Sequence, residues 1–481
     1  MNANFKNAGS LTRRRFLCQT TAAAVSLSAL SQSRILAANR QLRLGLIGCG
    51  DRGRYLLKAF ERGGKAGFVA VSDPDLERMN QAIGDRAESL QPFRDYRELL
   101  DQQDIDAVVI ASPNHWHALH TIHACQAGKD VYVEKPVTFS VDQGSAVLAA
   151  ARKYQRIVQA GTQNRSDTGL IPAFEMIRKG ELGAIQSIRG LCYRNRASIG
   201  KLDSPKQPPT SVDYDLWLGG AQDLPLFRPR FHYDWHWDFN TGNGDVGNQA
   251  PHEFDLINWV LGDPTGTSPV CCIGNRFAWD DAGNTPNMQT VWCQIGGVPV
   301  IFEVNNLWIN PEENKSPSYR GIGVGVIVAC QQGDFIGGRG GGKIVAKDGQ
   351  TVLHQFKGDS GESHYQNFIE AVLNRSHETL RAPIEKSVNS ALWPHLANLS
   401  YRSGVQVSRG EMLEQVPAEV AEVVHRQELQ LAKWGIDTHA TPYVLGNQVS
   451  LNETGELQGN ERARELARPN YRRKFQIPAE V

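Results

Sequence analysis

The chain carries no surplus charge of either sign: 51 lysines and arginines stand against 51 aspartates and glutamates. Without a net field it has no long-range means of capturing nucleic acid or an anionic membrane surface. It also lacks any C-x-x-C pair. Its eight cysteines, at 18, 49, 125, 192, 271, 272, 293 and 330, lie mostly in apolar strand-like or helical runs. That placement reads as small buried residues rather than a disulfide framework. There is no low-complexity run and no repeat at a 20–50-residue period. What remains is a globular chain of 481 residues, 46 of them glycine and 41% apolar, long enough for two or three domains.

The first forty residues differ from the rest. Thr12-Arg13-Arg14-Arg15-Phe16-Leu17 precedes a small-residue apolar stretch from Thr20 to Leu30 and then Leu36-Ala37-Ala38. A charged start, a short apolar middle and small residues at the end describe a cleavable signal. The stretch falls far short of the ~20 residues that span a bilayer. Its arginine pair before Phe-Leu resembles the twin-arginine export signal. Residues 1–38 are therefore expected to be removed, leaving no membrane span, and the mature protein to work in the periplasm or cell envelope. That route carries chains already folded in a reducing cytoplasm, so stability should not depend on disulfides.

From Gln41 to about Ala160 short apolar runs alternate with helical patterns. The runs are Leu42–Gly48, Phe68–Ser72, Ala107–Ala111, Val131–Val133 and Ile157–Gln159. The helical patterns are Arg54–Arg62, Leu76–Ser89, His115–Ala127 and Val141–Tyr154. This rhythm predicts an α/β fold, a doubly wound parallel sheet of Rossmann type over 41–160. Past Gly161 strand-like runs dominate, with few helices between them, which predicts an open, mostly antiparallel sheet in an α+β domain over 161–405. Gly337-Gly338-Arg339-Gly340-Gly341-Gly342 is read as a loop between strands and, lacking a following helix, not as a phosphate cradle. Residues 406–481 are polar with one amphipathic stretch at Ala418–Trp434, and read as a surface extension that wraps a neighbouring domain or subunit.

The first strand closes on Gly48-Cys49-Gly50-Asp51-Arg52-Gly53. Gly48 permits a tight turn, Gly50 lets the backbone approach a pyrophosphate, and Gly53 lets helix and strand pack closely. The following helix start offers free N–H groups and a positive dipole end. Asp73, twenty residues after Gly53, ends the second run. A carboxylate there accepts from ribose hydroxyls and repels a 2′-phosphate, which favours NAD over NADP.

Ser112-Pro113-Asn114-His115-Trp116-His117 follows the third run, and Val133-Glu134-Lys135-Pro136 ends the fourth. Ligands of open α/β sheets bind outside the carboxyl ends of the strands, where Lys135 would stand. An ammonium there can orient a hydroxyl and stabilise a developing alkoxide. With the glycine turn, Pro113-Asn114-x-x-His117, Glu134-Lys135-Pro136, Gly161-Thr162-Gln163 and His252-x-x-Asp255, the chain resembles the Gfo/Idh/MocA oxidoreductases over roughly residues 41–405. The resemblance implies an NAD(P)-dependent enzyme with its active site between two domains, and a second-domain sheet often used for homo-oligomer contacts. It implies cofactor contacts from Gly48, Gly50, Asp51, Arg52, Gly53, Asp73, Ser112, Asn114, His117, Glu134, Lys135 and Gln163. Lys135 and His252 would carry the chemistry with Asn248, which stands where the family commonly has an Asp. Asn cannot accept a proton, so that role passes mainly to His252.

Residues 234–252 concentrate aromatic and polar side chains of the kind that line carbohydrate pockets. Trp235, Trp237 and Asp255 are the substrate-binding candidates, while Asp234, His236 and Asp238 read as core. His115-x-His117 and Asp234-x-His236-x-Asp238 hold metal-ligand residue types, but no third and fourth partners complete a set, so no metal is expected. Three functions stay open: an exported NAD-dependent oxidoreductase on a sugar or cyclitol, an NAD-dependent glycoside hydrolase, and a sugar-binding protein with structural NAD.

Overall fold

A computed structural model describes residues 41–478 and 481; the export signal read at 1–38 lies outside the described residues. Six parallel strands form the first sheet: β1 (Leu42–Ile47), β2 (Ala66–Ser72), β3 (Gln91–Phe93), β4 (Ala107–Ile110), β5 (Asp130–Val133) and β6 (Val158–Ala160). Their order, β3-β2-β1-β4-β5-β6, reverses direction between β1 and β4, which opens a crevice at the strand ends. β1, β4 and β5 are almost entirely buried, as strands covered on both faces must be. The edge strand β3 has no counterpart in the sequence reading, because three residues around Pro92 leave no period to detect. The second helix is shorter than expected. It ends at Ile83, where Gly84 adopts φ +51°.

Ten strands form the second sheet, in the order β14-β13-β12-β11-β7-β10-β9-β8-β16-β15. They are β7 (Ile185–Tyr193), β8 (Cys271–Asn275), β9 (Met288–Ile295), β10 (Val298–Asn305), β11 (Val324–Cys330), β12 (Asp334–Gly338), β13 (Gly341–Val345), β14 (Val352–Lys357), β15 (Val405–Val407) and β16 (Tyr443–Leu445). Pairing is antiparallel except between β7 and β10. One face packs on helices Leu170–Arg178, Ala250–Val260 and Ile384–Arg402 through Phe174, Phe254, Trp393 and Phe302. The glycine run read as a loop is instead a hairpin, with Gly337 opposite Gly342 and Gly338 opposite Gly341. Glycine hides strands from propensity, yet here a Cβ on Gly337 would meet the Phe335 ring at 2.7 Å, so the close packing requires its absence.

Distant segments complete both layers. Helix His364–Asn374 places Tyr365, Phe368, Ile369 and Val372 in the core of the first sheet. The last seventy residues are more than a surface extension. Helix Ala418–Lys433 buries Val420, Val424 and Leu431 against the outer face of the second sheet. Phe475 joins the Rossmann core, its ring edge-on to Trp116 at 5.3 Å. The seven described cysteines are free, and six of them are buried. No described helix is long and apolar enough to cross a membrane.

Candidate functional site

The site begins with the turn after β1. Gly48 has φ +98°, and a Cβ on it would lie 2.5 Å from the Ala111 carbonyl carbon. A Cβ on Gly53 would lie 2.0 Å from the Gly48 oxygen. Both glycines are therefore fixed by close approach. A Cβ on Gly50 would meet only the Arg78 guanidinium, at 3.5 Å, so the space before it is open cleft. Helix Asp51–Glu61 starts there with no side-chain cap, so its first N–H groups are free for an anion.

Asp73 closes the turn from the end of β2. One carboxylate oxygen accepts from Cys49 N at 2.6 Å, the other from Asp75 N at 2.9 Å. Burial pushes its pKa up to about 6, against the opposing pull of those amides. Across the crevice, Arg52 donates to Glu134 at 2.5 Å, and Gln163 donates to the same carboxylate at 3.1 Å. His117 lines the cleft with its ring nitrogens 2.7 Å from Pro136 O and 2.8 Å from Ser112 O, which ties two strand-end loops together.

Lys135 extends from β5 and donates to Asn248 O at 2.7 Å. Asn248 Oδ1 is 3.4 Å from that ammonium and 3.4 Å from Asn114 Nδ2. Asn248 thus anchors Lys135 to the second domain through its carbonyl. His252 stands one turn later, in the first turn of helix Ala250–Val260, and its Nδ1 has no hydrogen-bond partner. Burial and the nearby cations Lys135, Arg52, Arg339 and Arg194 push its pKa well below the ordinary value, so the ring is neutral. Burial likewise lowers the Lys135 pKa, with Glu134 opposing.

These groups share one cleft of about 410 Å³, within the usual size of a ligand site. Gly48, Gly50, Asp51, Arg52, Asp73, Ser112, Asn114, His117, Glu134, Lys135, Gln163, Asn248, His252 and Trp235 all line it. Gly53 acts from behind. Two substrate candidates do not reach the cleft. Asp255 is buried in an ion pair with Arg165 at 2.8 Å and accepts from Ser390 at 2.9 Å, because its helix face turns into the second-domain core. Trp237 is buried beneath the Arg196 guanidinium, 5.3 Å from its ring. His236, read as core, instead lines the cleft and stacks on Trp235 at 3.7 Å. Asp234–Trp237 is a 3₁₀ turn, which buries Asp234 and Trp237 and leaves His236 on the cleft side.

Other lining residues escaped the sequence reading: Arg78, Arg94 and Tyr96 at the Asp73 end, with Trp116, His232, Tyr233 and Arg339. Only His232 and Tyr233 carried a signal, as neighbours of the aromatic segment. Among the described residues, no group of three or more His, Cys, Asp or Glu side chains is placed to hold a metal ion. His115 contacts the carbonyls of Thr241 and Trp217 instead.

Comparison with known proteins meets this geometry. Residues 42–162 match the model of an oxidoreductase family described as having an NAD-binding Rossmann fold. Inositol 2-dehydrogenase 4 of Saccharopolyspora erythraea is 35% identical over 279 residues, spanning 53% of this chain and 78% of that protein. The chain belongs to the Gfo/Idh/MocA oxidoreductase family. Several curated Gfo/Idh/MocA relatives are matched over only about half their length, as with the uncharacterized oxidoreductase YrbE of Bacillus subtilis: 31% identity over 46% of this chain and 54% of that one. The fold is shared with the WlbA dehydrogenase from Bordetella pertussis, solved with NADH and UDP-GlcNAcA. The TM-score is 0.57 at 19% identity, covering 76% of this chain and 98% of that one. An oxidoreductase from Agrobacterium radiobacter, solved with NAD+, L-tartaric acid and magnesium, gives 0.55 at 15% identity over 78% and 100%.

The glycine turn, the helix start and Asp73 fit a dinucleotide, and a titratable Asp73 is expected to make its binding pH-dependent. Ribose hydroxyls donate to the ionised carboxylate, which predominates only above its pKa of about 6. NAD affinity should therefore rise about ten-fold from about pH 5 to about pH 7, then level off. Titration of NAD by calorimetry at each pH checks this, and Asp73→Asn should flatten the profile.

Proposed function

We propose that this chain is an exported oxidoreductase that acts on a sugar, cyclitol or sugar derivative and uses NAD rather than NADP. One observation carries the reading: Lys135, Asn248 and His252, contributed by two domains, line the same cleft as the glycine turn. When bound, NAD would accept hydride from a substrate C–OH carbon. His252, neutral and lining the cleft, would take the hydroxyl proton. Lys135, held by Asn248 O, would orient that hydroxyl and stabilise negative charge developing on its oxygen. Trp235 would pack against sugar C–H faces.

The choice of NAD rests on Asp73, and the substrate class on the aromatic cleft and the named inositol dehydrogenase relative. Export rests on Arg13-Arg14-Arg15-Phe16-Leu17 and the short apolar stretch behind it. An exported enzyme has no soluble NAD pool to draw on, so the cofactor would be retained and regenerated within each cycle. We expect a homo-oligomer that uses the second domain.

A second reading has one specific support, Asn248 in place of the family's usual Asp. Transient oxidation next to an acidified C–H, followed by elimination, water addition and return of hydride, would hydrolyse a glycoside with no net redox change. Purified full-length protein should contain bound NAD on acid extraction. Given inositols, sugars and nitrophenyl glycosides without added cofactor, it should develop NADH absorbance. Nitrophenol release without NADH would favour the glycosidase reading. Bound NAD with neither product would leave a sugar-binding protein.

A further inference from the structure

The hairpin between β12 and β13 commits five glycines to presenting one side chain, Arg339. Its tip is held from below by Asp167, which is fully buried. One Asp167 oxygen accepts from Gly340 N and Ser360 N, both at 2.9 Å. The other accepts from Gly169 N at 2.9 Å and Leu170 N at 3.1 Å, at the start of helix Leu170–Arg178. Gly341, at φ +101°, leaves no room for a Cβ, which would lie 2.1 Å from Phe356 O. The backbone under Arg339 is thus fixed. Its guanidinium is exposed into the cleft, and among the described residues it has no hydrogen-bond or ion-pair partner.

The charges around it are otherwise settled. Glu134 is paired with Arg52, and Asp245 with Arg196 at 2.9 Å. Glu253, beside His252, is buried, and burial pushes its pKa up to about 8, so it holds its proton at neutral pH. Lys135 contacts only the neutral oxygens of Asn248. Two cations, Lys135 and Arg339, therefore face the substrate end of the cleft without a carboxylate.

We infer that Arg339 recognises an anionic group on the substrate, and that the substrate is an acidic sugar bearing a carboxylate. A guanidinium fork matches a carboxylate in two parallel hydrogen bonds, and the exposed Arg339 side chain at the hairpin tip has both donors unpaired. Lys135 remains free for the reacting hydroxyl. The inference rests on the proposed sugar oxidoreductase reading and narrows it.

The test is calorimetric titration of the NAD-loaded full chain with paired probes: D-glucuronate against D-glucose, and D-galacturonate against D-galactose, with D-glucose 6-sulfate as a further anion. At least one uronate should bind about ten-fold or more tighter than its neutral partner. In Arg339→Gln that preference should shrink to less than about two-fold, while Arg339→Lys, which keeps the charge but not the fork, should retain part of it. NAD affinity should not change in either variant. Equal binding of acid and neutral sugars, no binding of either uronate, or a preference for the sulfate over both uronates would overturn the assignment. So would a loss of NAD affinity in Arg339→Gln, which would place the guanidinium on the cofactor. Absorbance separates the two readings. Uronate preference without NADH formation upholds the role of Arg339 and removes the oxidoreductase reading; oxidation of neutral sugars without acid preference does the reverse.

Discussion

Replacing Lys135 with alanine is expected to lower turnover by roughly three orders of magnitude while leaving NAD affinity within about two-fold. The ammonium contacts Asn248 O at 2.7 Å and makes no hydrogen bond to the glycine turn. Its loss removes a cation from the point where negative charge develops on the substrate oxygen. It also removes one of the charges that hold His252 neutral, so the imidazole pKa should rise toward its ordinary value. The acid limb of the kcat/KM profile should then move to higher pH in whatever activity remains. Single-turnover kinetics with NAD-loaded protein would measure the first effect, and the pH profile the second. Unchanged turnover would remove Lys135 from the chemistry.

Gly53→Ala should abolish measurable dinucleotide binding and cost about 1–3 kcal/mol of stability. The new Cβ would sit 2.0 Å from the Gly48 oxygen, so helix Asp51–Glu61 must move away from the turn. That movement carries the free N–H groups off the pyrophosphate position. Gly410→Ala is the matched control. Gly410 lies within helix Arg409–Gln415, with nothing within 4 Å of its added Cβ, so the same change there should stabilise the protein by about 0.5–1 kcal/mol. Denaturant unfolding of both variants should give opposite signs. A stable, NAD-binding Gly53→Ala protein would contradict the close helix–turn packing.

The two lobes were legible in the sequence for different reasons. In the first, short apolar runs alternate with helical patterns, and the glycine turn sits between a strand and a helix, so the local pattern and the fold agree. Lys135 and Asp73 were legible because each ends a strand on the side of the sheet where ligands bind. The second lobe was legible only in outline. Gly337–Gly342 pairs as strands because the Phe335 ring demands small neighbours, a tertiary cause that propensity cannot express. Asp255 looked functional from its spacing to His252. That spacing keeps the two on neighbouring positions of the helix, but Arg165 and Ser390 hold the Asp255 carboxylate in the core, not in the cleft. Arg339, Trp116 and Arg94 reach the cleft from points far apart in the chain, so no window of sequence contains them together. The packing of Phe475 against Trp116 is equally long-range, and the polar composition around it concealed it.

The most direct measurement is a crystal structure of this protein grown with NAD. The pyrophosphate should lie on the backbone amides of Gly50, Asp51 and Arg52, with the adenine ribose on Asp73. The nicotinamide ring should lie between Lys135 and His252, leaving room for a substrate carbon about 3–3.5 Å from its reactive position. A ring held anywhere else, or a cleft that closes so that amine and imidazole no longer face the same space, would contradict the proposed chemistry.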